Sequence, residues 1–565
     1  MFFFKIFFLC FIRNELAIIK KRIKVLLIFF NKKNLFKKNK NFKEFLKKNK
    51  NFWVKNNIIK GKVKFILITN IANHPAYTTS EIAIGKSLME VYNCNGAALL
   101  EPFDIKNKLL FESYGIKKIF FIGDLNIFLR FKYFIKSFNI LNNINDIDEL
   151  LSLRIDNIDY GKSIYDHSVR FSGMGTIDKI LDVFYFHFLR SFIFNNQIDN
   201  ILKSNNIVAT VQSERIFLPG SILYQSSLVN KKNVYSRIGV SNNICVTKYN
   251  DINDRYRCRY TVSKKLFDEV KNKLGKKAII EGGKIIEDRF KGINEKQALH
   301  EFYDGPKFRK EKIHKPINKR HFTKDELCKQ LGWEINKPIN VIFSTDLTDG
   351  IFDQRWSLFR DRLTMIIETL KIARNVTNVN WLIKPHPNDL LHRVVTTTAS
   401  VFNKICKNYN HMKMLPEELT MSSLPKIANL AITTNGSVAS EYPAFGVPSV
   451  ISAEAICSNL GFTIEPKNIA EYSHLLRNSD KLKKLDSSTM DNAKIYAYLY
   501  INLLGVKTKM IPENDSRDFN EMNFWDEMSI LIENYKPDEE LLTEMMQIQH
   551  EKNDRHAIDY RLLKI

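Results

Sequence analysis

From Gly61 onward, short apolar runs alternate with amphipathic stretches, and after an irregular middle the alternation begins again at Pro338. This rhythm constrains the fold more than any other feature of the chain. Consecutive apolar residues suit a strand buried on both faces, and parallel strands of that kind need helical crossovers between them. "KVKFILITN" (62–70) is such a run, followed by "TSEIAIGKSLMEVY" (79–92), an amphipathic helix with Thr79 or Ser80 as its cap. "AALLEP" and "KKIFFIGD" (117–124) read as further strands. The second series runs "PINVIFSTD" (338–346), a helix near 354–374, "NWLIKP", a helix, "MKMLP", a helix, "LAITT" and "PSVISA". Two such series predict two α/β domains, each a parallel sheet with helices on both faces. At 565 residues the chain is also too long for a single core. No internal sequence repeat relates the two halves.

In open parallel sheets, ligands bind beyond the carboxyl ends of the strands. In the second series those ends carry "STDLTDG" (Ser344, Thr345, Asp346, Thr348, Asp349, Gly350), "KPHP" (Lys384, His386) and "TTNGSVASEYPAFGVPSV" (433–450). Gly436 and Ser437 are expected to open a helix directly after a strand, where amide groups and the helix dipole receive an anion. Glycine there leaves room for close approach, and Ser437 can cap the helix or donate to a phosphate oxygen. A plain N-cap without a ligand explains Ser437 equally well when it is taken alone. Glu441, one turn on, suits ribose hydroxyls or simply a solvated face. Two prolines stiffen the loop that holds Lys384, a fixed positive charge, and His386, a donor or proton carrier near neutral pH. Three anion-compatible strand ends point to the phosphate of a nucleotide, whose departure needs charge stabilisation.

Charge separates the start of the chain from the rest. Residues 1–64 hold 19 Lys or Arg against two acids, whereas the remainder holds 67 against 59. "MFFFKIFFLCFIR" is apolar yet too short to span a bilayer, and no small-residue cleavage site follows it. The segment reads as a peripheral anchor whose apolar groups enter the interface while lysines meet anionic headgroups. Nucleic acid is disfavoured, because no recognised binding module accompanies the lysines. Seven scattered cysteines without a CxxC pair fit a reduced, cytoplasmic protein at the inner membrane face, and zinc is not expected.

"NVNWLIKPHP", then "TTNGSVASEYPAFGVPSVI" and "LGFTIEPKNIAEYSHLL", resemble bacterial capsule-polysaccharide and surface-carbohydrate glycosyltransferases related to the capsule Kdo transferases. The resemblance spans 338–476, and "IDNIDYGKSIYDHSVRF" (155–171) adds Tyr165, Asp166 and Arg170. It implies a GT-B-like fold: two Rossmann-type domains with a cleft between them, here preceded by the basic amphipathic segment. It also implies a nucleotide-sugar donor, with a CMP-linked acidic sugar such as Kdo favoured, a polysaccharide or glycolipid acceptor, and no metal or other cofactor. Contacts to the donor phosphate carry over to His386 and Ser437, with Lys384 beside them and Ser344, Asn435, Gly436 and Glu441 around them. Some relatives place a histidine in the segment that here reads "VATVQSERIFLPGSILY" (208–224), where this chain has Glu214. The base for the acceptor hydroxyl is therefore open among His74, Asp166, Glu214 and Asp349. Inverting and retaining chemistry both remain open, as do an epimerase-like reading and a non-catalytic role in capsule assembly.

The expected division is 1–60 (tail), 61–325 (acceptor side), 326–480 (donor side) and 481–565, helical and crossing back to the first domain as the resemblance implies. The basic stretch "KFRKEKIHKPINKRH" (307–321) marks the break. Gly85-Lys86-Ser87 lacks the leading glycine of a P-loop, and "SGMGTID" lacks the third glycine of a dinucleotide fingerprint.

Overall fold

A computed structural model describes residues 39–55, 64–71, 74–102, 104–122, 127–238, 242–291, 319–513 and 520–563, with scattered positions between 8 and 23. Most of the basic stretch 307–321, and much of the tail, lie outside the described residues. The chain divides into two units. The first takes residues up to Ser168, Asp178–Arg255 and Leu504–Tyr560; the second takes Val169–Ile177, Tyr256–Leu503 and the last residues from Arg561.

The first unit is built on strands β1 (Phe65–Thr69), β2 (Asn95–Leu100), β3 (Lys118–Phe121), β4 (Ile207–Gln212), β5 (Asn233–Ile238) and β6 (Asn243–Tyr249). They lie in the order β3-β2-β1-β4-β5-β6. β1 to β5 are parallel, and β6 turns back antiparallel against β5. Two short strands, Val506–Lys507 and His556–Ala557, pair with β6, so the end of the chain completes the first sheet. Ile66, Leu67 and Ile68 of β1 are wholly buried, as a run of consecutive apolar residues requires.

The helix after β1 spans Pro75–Val91, with proline in its first turn and His74 at the N-cap. It begins before Thr79 and Ser80, whose hydroxyls instead bond back to the carbonyls of Pro75 and Ala76. Gly85 lets this helix press on β1: a Cβ there would meet Ile68 Cδ1 at 2.2 Å. The Gly-Lys-Ser triplet is thus a packing feature, and Lys86 is buried with its Nζ 3.8 Å from the centre of the Trp53 ring.

That tryptophan belongs to the helix Lys40–Lys55. Phe42, Phe45 and Trp53 recur at helical spacing and are buried against Trp525, Tyr114 and Tyr535. Lys40, Lys43, Lys47 and Lys50 face outward. The tail segment expected over 1–60 thus ends in a helix that is part of the first unit's core.

The second unit has five parallel strands: β7 (Ile339–Phe343), β8 (Asn380–Lys384), β9 (Met412–Met414), β10 (Leu430–Thr433) and β11 (Ser449–Ile451). Their order is β9-β8-β7-β10-β11, so chain direction across the sheet reverses at β7. The parallel strands of the first sheet follow the same order, a repeat that no sequence similarity announces. Helices Lys264–Lys291 and Ser487–Tyr498 pack on each other, with Gly282 so close that a Cβ would lie 1.9 Å from the Lys494 carbonyl oxygen. Both helices belong to the second unit, which therefore reaches beyond the expected boundaries at 325 and 480 on either side. The helix expected near 354–374 starts only at Arg362, where the Asp361 side chain accepts from the Thr364 amide.

Candidate active site

In a sheet of this order the crevice opens where the two halves part, at the carboxyl ends of β7 and β10. The loop after β7 is held from below by Arg362, which is buried and donates to the carbonyls of Asp346 (2.6 Å) and Gly350 (3.1 Å). Above it, the Asp346 carboxylate accepts from Asn388 Nδ2 (2.8 Å) and the Thr348 amide (3.1 Å), and lies 2.7 Å from His392 Nδ1. Burial by itself would raise this carboxyl, but the bond and charge of His392, with Asn388 and Thr348, hold it well below the usual carboxylate range. Arg170 closes the cluster: its Nη2 is 3.1 Å from His392 Nε2, and its Nη1 is 4.0 Å from Asp346 and 3.9 Å from Asp349. Gly173 permits the approach of that segment, since its φ is +70° and a Cβ would meet the Arg393 carbonyl at 2.6 Å. The glycines of "SGMGTID" thus serve packing.

Ser344 is buried beside this cluster, accepting from Thr398 Oγ1 at 2.8 Å, and its amide donates to the Lys384 carbonyl at 3.0 Å. Lys384 ends β8 half-buried. His386 accepts from the Asn388 amide on Nδ1 (3.2 Å), which puts the proton of a neutral ring on Nε2 and makes that nitrogen a donor. After β10, Asn435 donates to Gln354 Oε1 (3.1 Å), tying this corner to the chain beyond the β7 loop. A Cβ on Gly436 would lie 3.3 Å from Thr345 Cγ2 and 2.9 Å from Thr433 Oγ1, so β7 and β10 end in contact. The hydroxyls of Thr345 and Thr434, one on each side of the crevice, are buried with no hydrogen-bond partner among the described residues.

Two expectations need correction here. Ser437 does precede a helix, but that helix is the single turn Val438–Glu441 followed by a 3-10 turn, and the serine side chain caps nothing. One turn carries little dipole, so this corner's capacity for an anion rests on Gly436 and the neighbouring hydroxyls. Glu441 is buried, and its carboxylate lies 2.9 Å from Arg289 Nε of the helix Lys264–Lys291. It is neither a solvated face nor an open ribose ligand.

Of the four candidate bases, only Asp349 lies in this unit, half-exposed beside Arg170. Glu214 spends its carboxylate on the amides of Ile216 (2.7 Å) and Phe217 (2.8 Å), holding a turn. Asp166 is buried on the helix Tyr160–Ser172. His74 sits at the start of the helix Pro75–Val91, where burial and the charge of Arg237 hold its imidazole below the usual value, with Glu521 opposing.

The reversal point of the first sheet is filled by Glu81, which accepts from the Ser213 amide (2.6 Å) and from Thr69 Oγ1 (3.3 Å). Burial pushes its carboxyl up to about 7, against the charge of Arg237 and both of those bonds. A folded-state value above the unfolded one means stability falls as pH rises from about 4 to about 7, then levels. Taking 4.5 for the unfolded group, the loss is about 3 kcal/mol. Urea unfolding at pH 5 and pH 8 should show this slope in the native chain and a flatter one in Glu81→Gln; equal slopes would remove the assignment.

No protein-family model matches the chain, and no curated protein matches it. Among solved structures it is similar to KpsC of Thermosulfurimonas dismutans, a beta Kdo 2,4 transferase, with 11% identity, 58% of this chain and 88% of that one covered, and a TM-score of 0.32. A glycosyltransferase from Rickettsia africae gives 9% identity, 83% and 96% coverage, and a TM-score of 0.23. A putative UDP-N-acetylglucosamine 2-epimerase from Listeria monocytogenes gives 9%, 78% and 92%, and 0.23.

Proposed function

We propose that the crevice of the second unit binds the phosphate of a nucleotide-activated sugar, and that the protein is a GT-B-type glycosyltransferase. The observation that carries this reading is the pair of buried hydroxyls, Thr345 and Thr434, flanking Gly436 where β7 and β10 end together. Buried donors of this kind want acceptors, and phosphate oxygens supply them. Lys384 adds positive charge, and His386 offers Nε2–H to the oxygen that gains charge as the sugar leaves. Asp349, beside Arg170, is the base we favour within this unit for the acceptor hydroxyl. The preferred donor is a CMP-linked acidic sugar such as Kdo, and the acceptor a surface polysaccharide or glycolipid at the inner face of the cytoplasmic membrane.

The test is donor turnover with CMP-, CDP- and UDP-sugars. His386→Ala and Ser437→Ala should each lower turnover tenfold or more, a loss on the order of 1.4 kcal/mol, while the fold survives because both residues lie in loops. Native-like turnover in both variants would remove the assignment. Conversion of a UDP-sugar to its epimer without transfer would replace it with an epimerase.

A further inference from the structure

The helix Ile127–Leu141 of the first unit presents two unlike faces. Phe134, Ser137 and Leu141 are buried, and Tyr133 packs edge-on against Phe192. On the adjoining face Phe128, Phe131 and Ile135 form an exposed row at helical spacing, with Phe128 80% exposed and Phe131 bordering the buried Phe134. Lys132 and Lys136 form a parallel row beside them, also exposed.

A second row runs alongside. The described positions between 8 and 23 are helical, and Phe8, Ile12, Leu16, Ile19 and Ile23 recur on one stripe, all exposed. Aromatic packing and an ion pair fasten this piece to the first helix, with Phe8 edge-on to Phe134. Phe11 is buried against Phe131 and Phe134, and Glu15 forms a bidentate pair with Arg130, 2.7 Å at its shortest. Arg13 and Lys20 are exposed on the same piece.

We infer that these two elements together form a membrane-docking face, which seats on the surface of an anionic phospholipid bilayer. Exposed aromatic and aliphatic rows of this extent are uncommon on a free surface. The interleaved lysines and arginine select the partner: the core of a protein interface is depleted in lysine, whereas an interfacial helix carries lysine beside its apolar row. The residues would enter the headgroup region rather than cross, and among the described residues no helix is long and apolar enough to span a bilayer. The face therefore extends beyond the basic tail to a helix more than a hundred positions further along the chain. It does not rest on the activity proposed above.

The experiment is co-sedimentation of the full chain with phosphatidylcholine vesicles and with vesicles containing about one-third phosphatidylglycerol. Binding is expected to the anionic vesicles only, and about 0.5 M salt should weaken it by screening the lysines. Phe128→Ser combined with Ile135→Ser should reduce vesicle affinity about tenfold or more, and Lys132→Glu should reduce it for anionic vesicles. All three side chains are exposed, so melting temperature and donor turnover in free solution should stay unchanged, which separates lipid binding from folding and from catalysis. Unaltered vesicle binding by these folded variants would overturn the inference. So would conversion of a dimer to a monomer with lipid binding intact, which would assign the face to a second copy of the chain.

Discussion

A chain lacking residues 1–60 is expected to lose the fold of its first unit, whereas a chain lacking residues 1–38 should keep it. The difference is the helix Lys40–Lys55. Phe45 stacks on Trp525 at 5.2 Å, Phe42 lies 4.7 Å from the same ring, and Trp53 packs between Tyr114 and Tyr535. Truncating one buried aromatic residue to alanine costs roughly 3–5 kcal/mol, and removing three exceeds much of the roughly 5–15 kcal/mol that holds a typical domain together. Asn49 would also leave Ser113, to which it donates at 2.8 Å. Lys86, pushed down to about 8 by burial, would lose the ring face above it. Circular dichroism melting and limited proteolysis of the two truncations check this. A folded chain without residues 1–60 would show the helix to be dispensable.

Asp346→Ala should destabilise the second unit by about 3 kcal/mol, the low end of the loss when one partner of a buried ion pair is removed, because His392 and Arg170 keep some contact with solvent. It would leave His392 and Arg170 facing each other, 3.1 Å apart at Nη2 and Nε2, without the carboxylate that joins them. It would also release Asn388, whose amide positions His386, so donor turnover should fall together with stability. The pH dependence supplies a control. Because the folded carboxyl is held below its unfolded value, its stabilising contribution is present above about pH 4 and lost as pH falls below that. Urea midpoints of the native chain and Asp346→Asn should therefore differ most at pH 7 and draw steadily closer as pH falls below about 4. A constant difference would mean that the charge is not what stabilises the loop.

Much of the second unit could be read along the chain. Ile339–Phe343 and Asn380–Lys384 are strands because their apolar residues cluster, Lys384 closes the second of them, and the loops that follow carry Ser344 and His386 as expected. His392 follows His386 by six residues, but nothing local distinguishes a histidine bound to Asp346 from one facing water. Arg170 entered only through resemblance, and Arg362 not at all, since a buried arginine that clamps two carbonyls has no periodic signature. Helical spacing shows only that Glu441 follows Ser437 by one turn, and its partner, Arg289, stands on a helix far away in the chain. In the tail, the number of lysines obscured the spacing of Phe42, Phe45 and Trp53, which alone marks a face for burial.

The sequence by itself determined where strands and helices form, because apolar periodicity and turn chemistry act between residues a few positions apart. It also determined which polar groups stand at the strand ends of the second unit. The tertiary structure decided the strand order, and with it that the loops after β7 and β10 share one crevice. It decided as well which charges meet, as with Asp346 and Arg170 or Glu441 and Arg289. Such pairs form between groups that only the packing of distant elements brings within reach, and burial then fixes how strongly each holds its proton or its partner.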